Sequence, residues 1–157
     1  MKNRQDHPGV YVPPPLIYVA LFLLSVFIQK VMPINDSFFH SDIHYYIGYG
    51  VLITSAIMLL PALFHFLKTK NTLITIKPAN SLQTKGIYAI TRNPMYIGLL
   101  LIYTGIALLK GNWWTVLFIP VIIMIIQSFV IKKEEQYLER AFGSSYTAYK
   151  EKVRRWI

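Results

Sequence analysis

Four apolar runs separated by short polar segments constrain this chain more than anything else in it. Leu16 to Met32, Tyr45 to Leu67, Pro94 to Leu109 and Trp113 to Ile131 are each about long enough to cross a bilayer as a helix. With 54% hydrophobic residues and a mean hydropathy of +0.42, too few polar side chains remain to cover a soluble globule of 157 residues. The expected fold is all-α and integral to a membrane, with about four transmembrane helices and an amphipathic, cytoplasmic C-terminal helical tail. The whole chain, 1–157, reads as one membrane domain.

The segments between the runs set the details. Pro13-Pro14-Pro15 stiffens the entry to the first run, and Lys30 and Pro33 stop it. A secretory signal would share its basic-then-apolar order. The run is long for a signal core, however, and no small-x-small cleavage site follows, so a helix of the mature protein is expected. Pro61 is expected to kink the second span, and Gly48, Ser55 and Ala56 suit close helix packing. Lys68 to Asn93 is the longest polar connection, in which Thr72 to Ile76 reads as a short extended piece. In the third span Gly98 and Gly105 share a face, either for tight packing or to leave room for a ligand. Lys110-Gly111-Asn112 predicts a tight turn into the fourth span, anchored by Trp113 and Trp114, with Pro120 inside it. From Lys132 the pattern turns amphipathic, with Gly143 as the break between two helical segments.

Charge decides orientation and partners. The net charge of +9 lies in the connections, not along a groove, which argues for a membrane and against nucleic acid. Fourteen of the sixteen basic residues fall in the N-terminus, the 68–93 connection and the tail. Both termini are therefore expected in the cytoplasm, on the inner membrane if the source is bacterial, and Arg92 and the tail share that side. The absence of cysteine excludes thiolate chemistry and disulfides. His7, His40, His44 and His65 show no metal-ligand spacing except in the pair His40 and His44, which is expected as interfacial loop residues; no metal site is expected.

Two polar clusters face that cytoplasmic side. Arg92 precedes Asn93-Pro94, a helix start with Asn as N-cap and Pro in the first turn. The free amides of such a turn, beside an arginine, form an anion site at the membrane edge. The alternative is an ordinary cap beside an arginine that snorkels to water. Glu134 and Glu135 stand about 100° apart on a helix, so one can face inward while the other faces solvent. Alternatively both lie on a solvated face, paired with Lys132, Lys133 or Arg140.

The pattern Gly86-x-Tyr88-x3-Arg92-Asn93-Pro94-Met95-Tyr96-x-Gly98 resembles the core motif of the isoprenylcysteine carboxyl methyltransferase and phospholipid methyltransferase superfamily. Glu134-Glu135-x2-Leu138-x3-Phe142-Gly143-x2-Tyr146-x2-Tyr149 and Val153-Arg154-Arg155-Trp156 continue it in the tail. The resemblance covers about Leu67 to Ile157, while the first two spans match only in hydrophobicity. Asn93 stands where the prenylcysteine enzymes carry histidine, a variant common in bacterial-type members.

The resemblance implies an S-adenosylmethionine pocket within residues 68–157, roofed by the tail and floored by the ends of the third and fourth spans. Arg92 and the amides around Asn93 and Pro94 suit the cofactor carboxylate. Glu134 or Glu135 suits its ammonium or ribose hydroxyls. Tyr88, Tyr96, Tyr146 and Tyr149 serve either as aromatic walls for the cofactor or as interfacial anchors. Gly86 and Gly98 would permit close backbone approach. Arg92 and Glu135 are the expected catalytic pair, and the implied acceptor is a lipid, a lipidated molecule or another membrane-partitioning compound. Two other readings are a membrane reductase using a nicotinamide cofactor and a non-catalytic membrane scaffold.

Overall fold

The computed structural model describes residues 7–68 and 81–157. The expected extended piece at Thr72 to Ile76 lies outside them. Helix α1 (Pro14–Val31) starts on a proline, where a missing N–H costs nothing. Leu16, Leu23 and Phe27 point outward, and Tyr18 and Ser25 turn inward. Helix α2 (Ile43–Lys68) continues through Pro61 for 26 residues, so the proline does not end the span. Helix α3 (Pro94–Lys110) has 17 residues, about 25 Å of rise against a hydrocarbon core of about 30 Å. Gly111 closes α3 in the left-handed conformation at φ 63°. The side chain of Asn112 then accepts from the amides of Trp114 and Thr115 to open α4 (Trp113–Leu117). This is the expected hairpin.

The fourth apolar column runs, as expected, as one helical stretch, Trp113–Phe142, and changes its helical type along the way. Phe118, itself in helical backbone conformation, joins α4 to α5 (Ile119–Ile125), which carries Pro120 in its first turn. A π-helical segment, Ile126–Ile131, then leads into α6 (Lys132–Phe142). Gly143, at φ 52°, turns the chain into α7 (Ser144–Lys152), as the tail pattern predicts. Among the described residues, three columns, beginning at Pro14, Ile43 and Trp113, are long and apolar enough to span a membrane; α3 is a shorter apolar helix. The protein is an all-α integral membrane protein.

Packing settles the role of the small residues in α3. A Cβ on Gly105 would lie 2.7 Å from Leu52 Cγ and 3.1 Å from the Gly48 carbonyl oxygen. A Cβ on Gly98 would lie 2.8 Å from Leu59 Cβ, and Ser55 Oγ donates to the Gly98 carbonyl at 2.9 Å. The stripe is therefore filled by α2, which brings the two backbones together as small residues do between membrane helices. On the other side of α3, Ser25 Oγ and Thr115 Oγ1 share a hydrogen bond of 2.8 Å that ties α1 to α4. His44 departs from expectation. It lies in the first turn of α2, is 2% exposed, and its Nδ1 donates to the Ser41 carbonyl at 2.6 Å. Its ring meets Phe39 edge-on, so an aromatic pocket and a helix-start carbonyl hold it, not the interface.

Candidate cofactor-binding site

The site grows from three chain segments that meet beside the start of α3. The first is the turn Gly86–Ala89 and the residues that follow it. Gly86 takes φ 64°, which favours glycine, and has open space around its Cα. Tyr88, two residues on, is turned inward and is 7% exposed. Asn93 occupies the N-cap position of α3, but its side chain makes no capping bond. Its Nδ2 instead donates to the Arg155 carbonyl at 2.9 Å, joined there by Thr91 Oγ1 at 3.1 Å. The backbone amide of Arg92 donates to the Arg154 carbonyl at 3.0 Å. A tail carbonyl thus takes the amide expected to cap the helix, because the tail runs directly alongside residues 91–93.

The second segment is α6, which carries both glutamates. Glu135 is 7% exposed and lies between two guanidinium groups. Arg92 Nη2 stands 3.1 Å from Glu135 Oε1. Arg155 grips the same carboxylate in a fork, Nε to Oε1 at 3.0 Å and Nη2 to Oε2 at 2.6 Å. Glu134, half-buried, faces the other way and accepts from the Tyr96 hydroxyl at 2.6 Å. Neither glutamate lies on a solvated face paired with Lys132 or Lys133, and both lysines are exposed. Arg92 likewise turns inward instead of snorkelling, its side chain 9% exposed.

The third segment is α7 with the residues that follow it. Tyr146 and Tyr149 are 1% and 8% exposed, and Tyr149 donates to the Tyr88 carbonyl at 2.6 Å. With Tyr88 and Tyr96 also buried, all of these tyrosines lie inside the protein and not at the interface. Burial raises the Tyr88 and Tyr146 phenols above their ordinary range, with Tyr149 and Glu134 adding to it at Tyr88 and Glu135 at Tyr146. Tyr149 is pushed up to about 12 by burial, partly offset by Arg92. The hydrogen bonds that Arg155 donates to Glu135 hold it above its ordinary value. An open cleft of about 490 Å³ shares Tyr149 as a wall and is bounded by Thr84, Ala89, Ser145 and Lys152.

The structure thus gathers Tyr88, Arg92, Asn93, Pro94, Tyr96, Glu134, Glu135, Tyr146 and Tyr149 into one neighbourhood. It places Gly98 against Leu59 of α2 and Gly86 at the turn. Thr91, Gln127, Arg155 and Trp156 carry structural weight here without an expected role. Arg155 and Trp156 fall within the tail motif, which was their one signal; Thr91 and Gln127 had none. Among the described residues, the buried donors left without a partner include Arg92 Nε, Arg92 Nη1 and the Tyr88 hydroxyl. Buried donors of this kind are costly unless something binds them. No group of metal-binding side chains occurs among the described residues.

The model of one family, phospholipid methyltransferase, matches residues 43–145, well over half of the chain. The chain belongs to that family of membrane methyltransferases. The match takes in α2, which the motifs alone reached only through hydrophobicity, and ends at the start of α7. An uncharacterized protein of Haemophilus influenzae is 46% identical over 63 residues, 40% of this chain and 100% of that relative. The protein-S-isoprenylcysteine O-methyltransferase of Schizosaccharomyces pombe is 39% identical over 72 residues, 46% of this chain and 30% of that protein. No solved structure matches.

Proposed function

We propose that this protein transfers a methyl group from S-adenosylmethionine to a lipid, lipidated or other membrane-partitioning acceptor at the cytoplasmic membrane face. One observation carries the cofactor reading. Arg92 is buried with Nε and Nη1 unpartnered, while Glu134 nearby has a hydroxyl partner and, among the described residues, no bonded cation. A buried guanidinium with two open donors, in a site to which α6 brings a second carboxylate, complements a zwitterion such as the amino-acid end of S-adenosylmethionine. The chain's residues fit the cofactor on that ground.

Bound there, S-adenosylmethionine would supply an already activated methyl group on its sulfonium. The protein's task is then positioning and exclusion of water. Arg92 Nε and Nη1 would hold the carboxylate, Glu134 the ammonium, and the Tyr88 hydroxyl a further acceptor atom. Tyr146 and Tyr149 would wall the pocket, their phenols kept neutral by burial. Glu135 acts through Arg92 and not as a proton acceptor, because two guanidinium groups occupy both of its oxygens. A carboxylate acceptor would need no base; for an amine, Glu134 is the carboxylate of the pair free to take a proton.

The acceptor class rests on the lipid-facing surfaces of α1 and α2 and on the short α3, whose first turn carries Tyr96 into the site. The name of the fission yeast relative states an isoprenylcysteine substrate for that protein, of which this chain matches a minor part. Turnover in detergent confined to small water-soluble acceptors would refute a membrane acceptor. The cofactor is tested first, by calorimetry with S-adenosylmethionine and S-adenosylhomocysteine on purified protein. Arg92→Ala is expected to weaken binding by about tenfold to a hundredfold, the loss of charge-assisted hydrogen bonds. Glu135→Ala is expected to do likewise while remaining folded. Absence of binding by folded wild type, or binding of NADPH in its place, would overturn the proposal.

A further inference from the structure

Glu135 receives more positive charge than one carboxylate needs. Arg155 engages both of its oxygens, and Arg92 takes only a share of Oε1, at 3.1 Å through Nη2. An arginine alone with a buried carboxylate would be expected to take the two-pronged grip itself, since that is the stronger geometry. Here the grip is already occupied. Arg92 is therefore left with Nε and Nη1 unpartnered in a buried position.

The occupant is itself fixed from the side that carries Arg92. The Arg155 carbonyl accepts from Thr91 Oγ1 and Asn93 Nδ2, and the carbonyl before it accepts from the Arg92 amide. Beyond it, Trp156 Nε1 donates to Gln127 Oε1 at 3.0 Å, which pins the tail to the π-helical part of the fourth column. Arg155 thus bridges the segment bearing Arg92 and the helix bearing Glu135. The three side chains together carry one net positive charge, a match for a single carboxylate.

We infer that Arg155 is a positioning residue: by holding both oxygens of Glu135 it keeps Arg92 Nε and Nη1 free for the carboxylate of the bound ligand. This rests on the cofactor reading above and adds to it a residue that does not itself touch the cofactor. Without the Arg155 fork, Arg92 turns onto Glu135, and the donors meant for the ligand are consumed internally. Lysine at position 155 would keep the charge and the backbone bonds but not the fork, since an ammonium is a point charge.

The test compares two ligands on the full-length protein in detergent: S-adenosylhomocysteine, and its analogue in which the amino-acid carboxyl is replaced by hydrogen. In Arg155→Lys the dissociation constant for S-adenosylhomocysteine should rise about tenfold. For the decarboxylated analogue it should change by less than about twofold, since that ligand has nothing for Arg92 to hold. Retained binding of the analogue also shows that the variant is folded. Arg155→Gln should repeat the pattern with a larger loss for S-adenosylhomocysteine only. Equal losses for both ligands would make Arg155 a general structural element and overturn the inference, as would unchanged S-adenosylhomocysteine binding. Failure of the wild type to bind either ligand would overturn the cofactor reading itself.

Discussion

Tyr149 links the tail to the turn that precedes α3, donating to the Tyr88 carbonyl at 2.6 Å. Burial disfavours its phenolate and holds the proton to about 12, whereas a tyrosine in a released tail ionises at the ordinary 10.0. Above pH 10 the released tail loses protons that the docked tail keeps, so raising pH favours release. The stability contributed by docking is complete below 10 and is lost as pH rises towards about 12. Spectrophotometric titration should therefore show tyrosines ionising late, with binding of S-adenosylhomocysteine falling across the same window. Tyrosines that all ionise near their ordinary value would place Tyr149 in water. Glu134 and Glu135 show how neighbours diverge at this scale. One faces a hydroxyl and the other two guanidinium groups, and among the described residues only the second has a cation bonded to it.

Among the elements, the α2–α3 pair is the scaffold on which the site stands, because α3 begins at Pro94, directly after Arg92. The pair is held by backbone proximity at Gly48, Gly98 and Gly105. Gly105→Ala places a methyl 2.7 Å from Leu52 Cγ and 3.1 Å from a backbone oxygen, so a helix must move. The expected cost is about 1–3 kcal/mol, read as a lower thermal midpoint in detergent. Gly50→Ala is the control: it adds a methyl to the same α2 helix with nothing within 4 Å. It should leave the midpoint unchanged or raise it slightly, by up to about 1 kcal/mol of helix propensity. Equal effects from both would mean that α2 and α3 are not closely packed. The fourth column is a different kind of element, one long helical stretch whose π-helical segment, Ile126–Ile131, leads into α6.

For the whole molecule, the exposed apolar side chains of α1 and α2 are those a bilayer would cover. The expected orientation places the tail in the cytoplasm and the connection between α1 and α2 on the opposite side. Because the chain has no cysteine, single cysteines report cleanly. In intact cells a membrane-impermeant maleimide should label Ser37→Cys at once, and Ser144→Cys only after permeabilisation. Both positions are exposed, so access alone decides the result. The reverse pattern would invert the topology and move the proposed site to the outer face.

Much of this was written locally. Apolar runs of membrane length, the Gly111 turn, the Gly143 break and the expectation that Arg92 and the tail share one side follow from residue type and order. A helix in lipid satisfies its own backbone within a few residues, so local pattern suffices to specify it. Which glutamate meets the arginines did not follow. A π-helical segment advances the chain by an extra residue, about 100° on the helix, so no wheel drawn through Trp113 to Ile131 predicts the facing of Glu134 and Glu135. The roles of Asn93 and Arg155 rest on hydrogen bonds between positions 62 apart in the chain. The burial of His44 rests on an aromatic pocket that forms only once the turn before α2 is in place. The sequence by itself determined the helices, their order and the kinds of side chain that the start of α3 and the tail supply. The tertiary structure decided which of those charges cancel inside the protein and which remain for a ligand, because pairing depends on where distant segments come to rest.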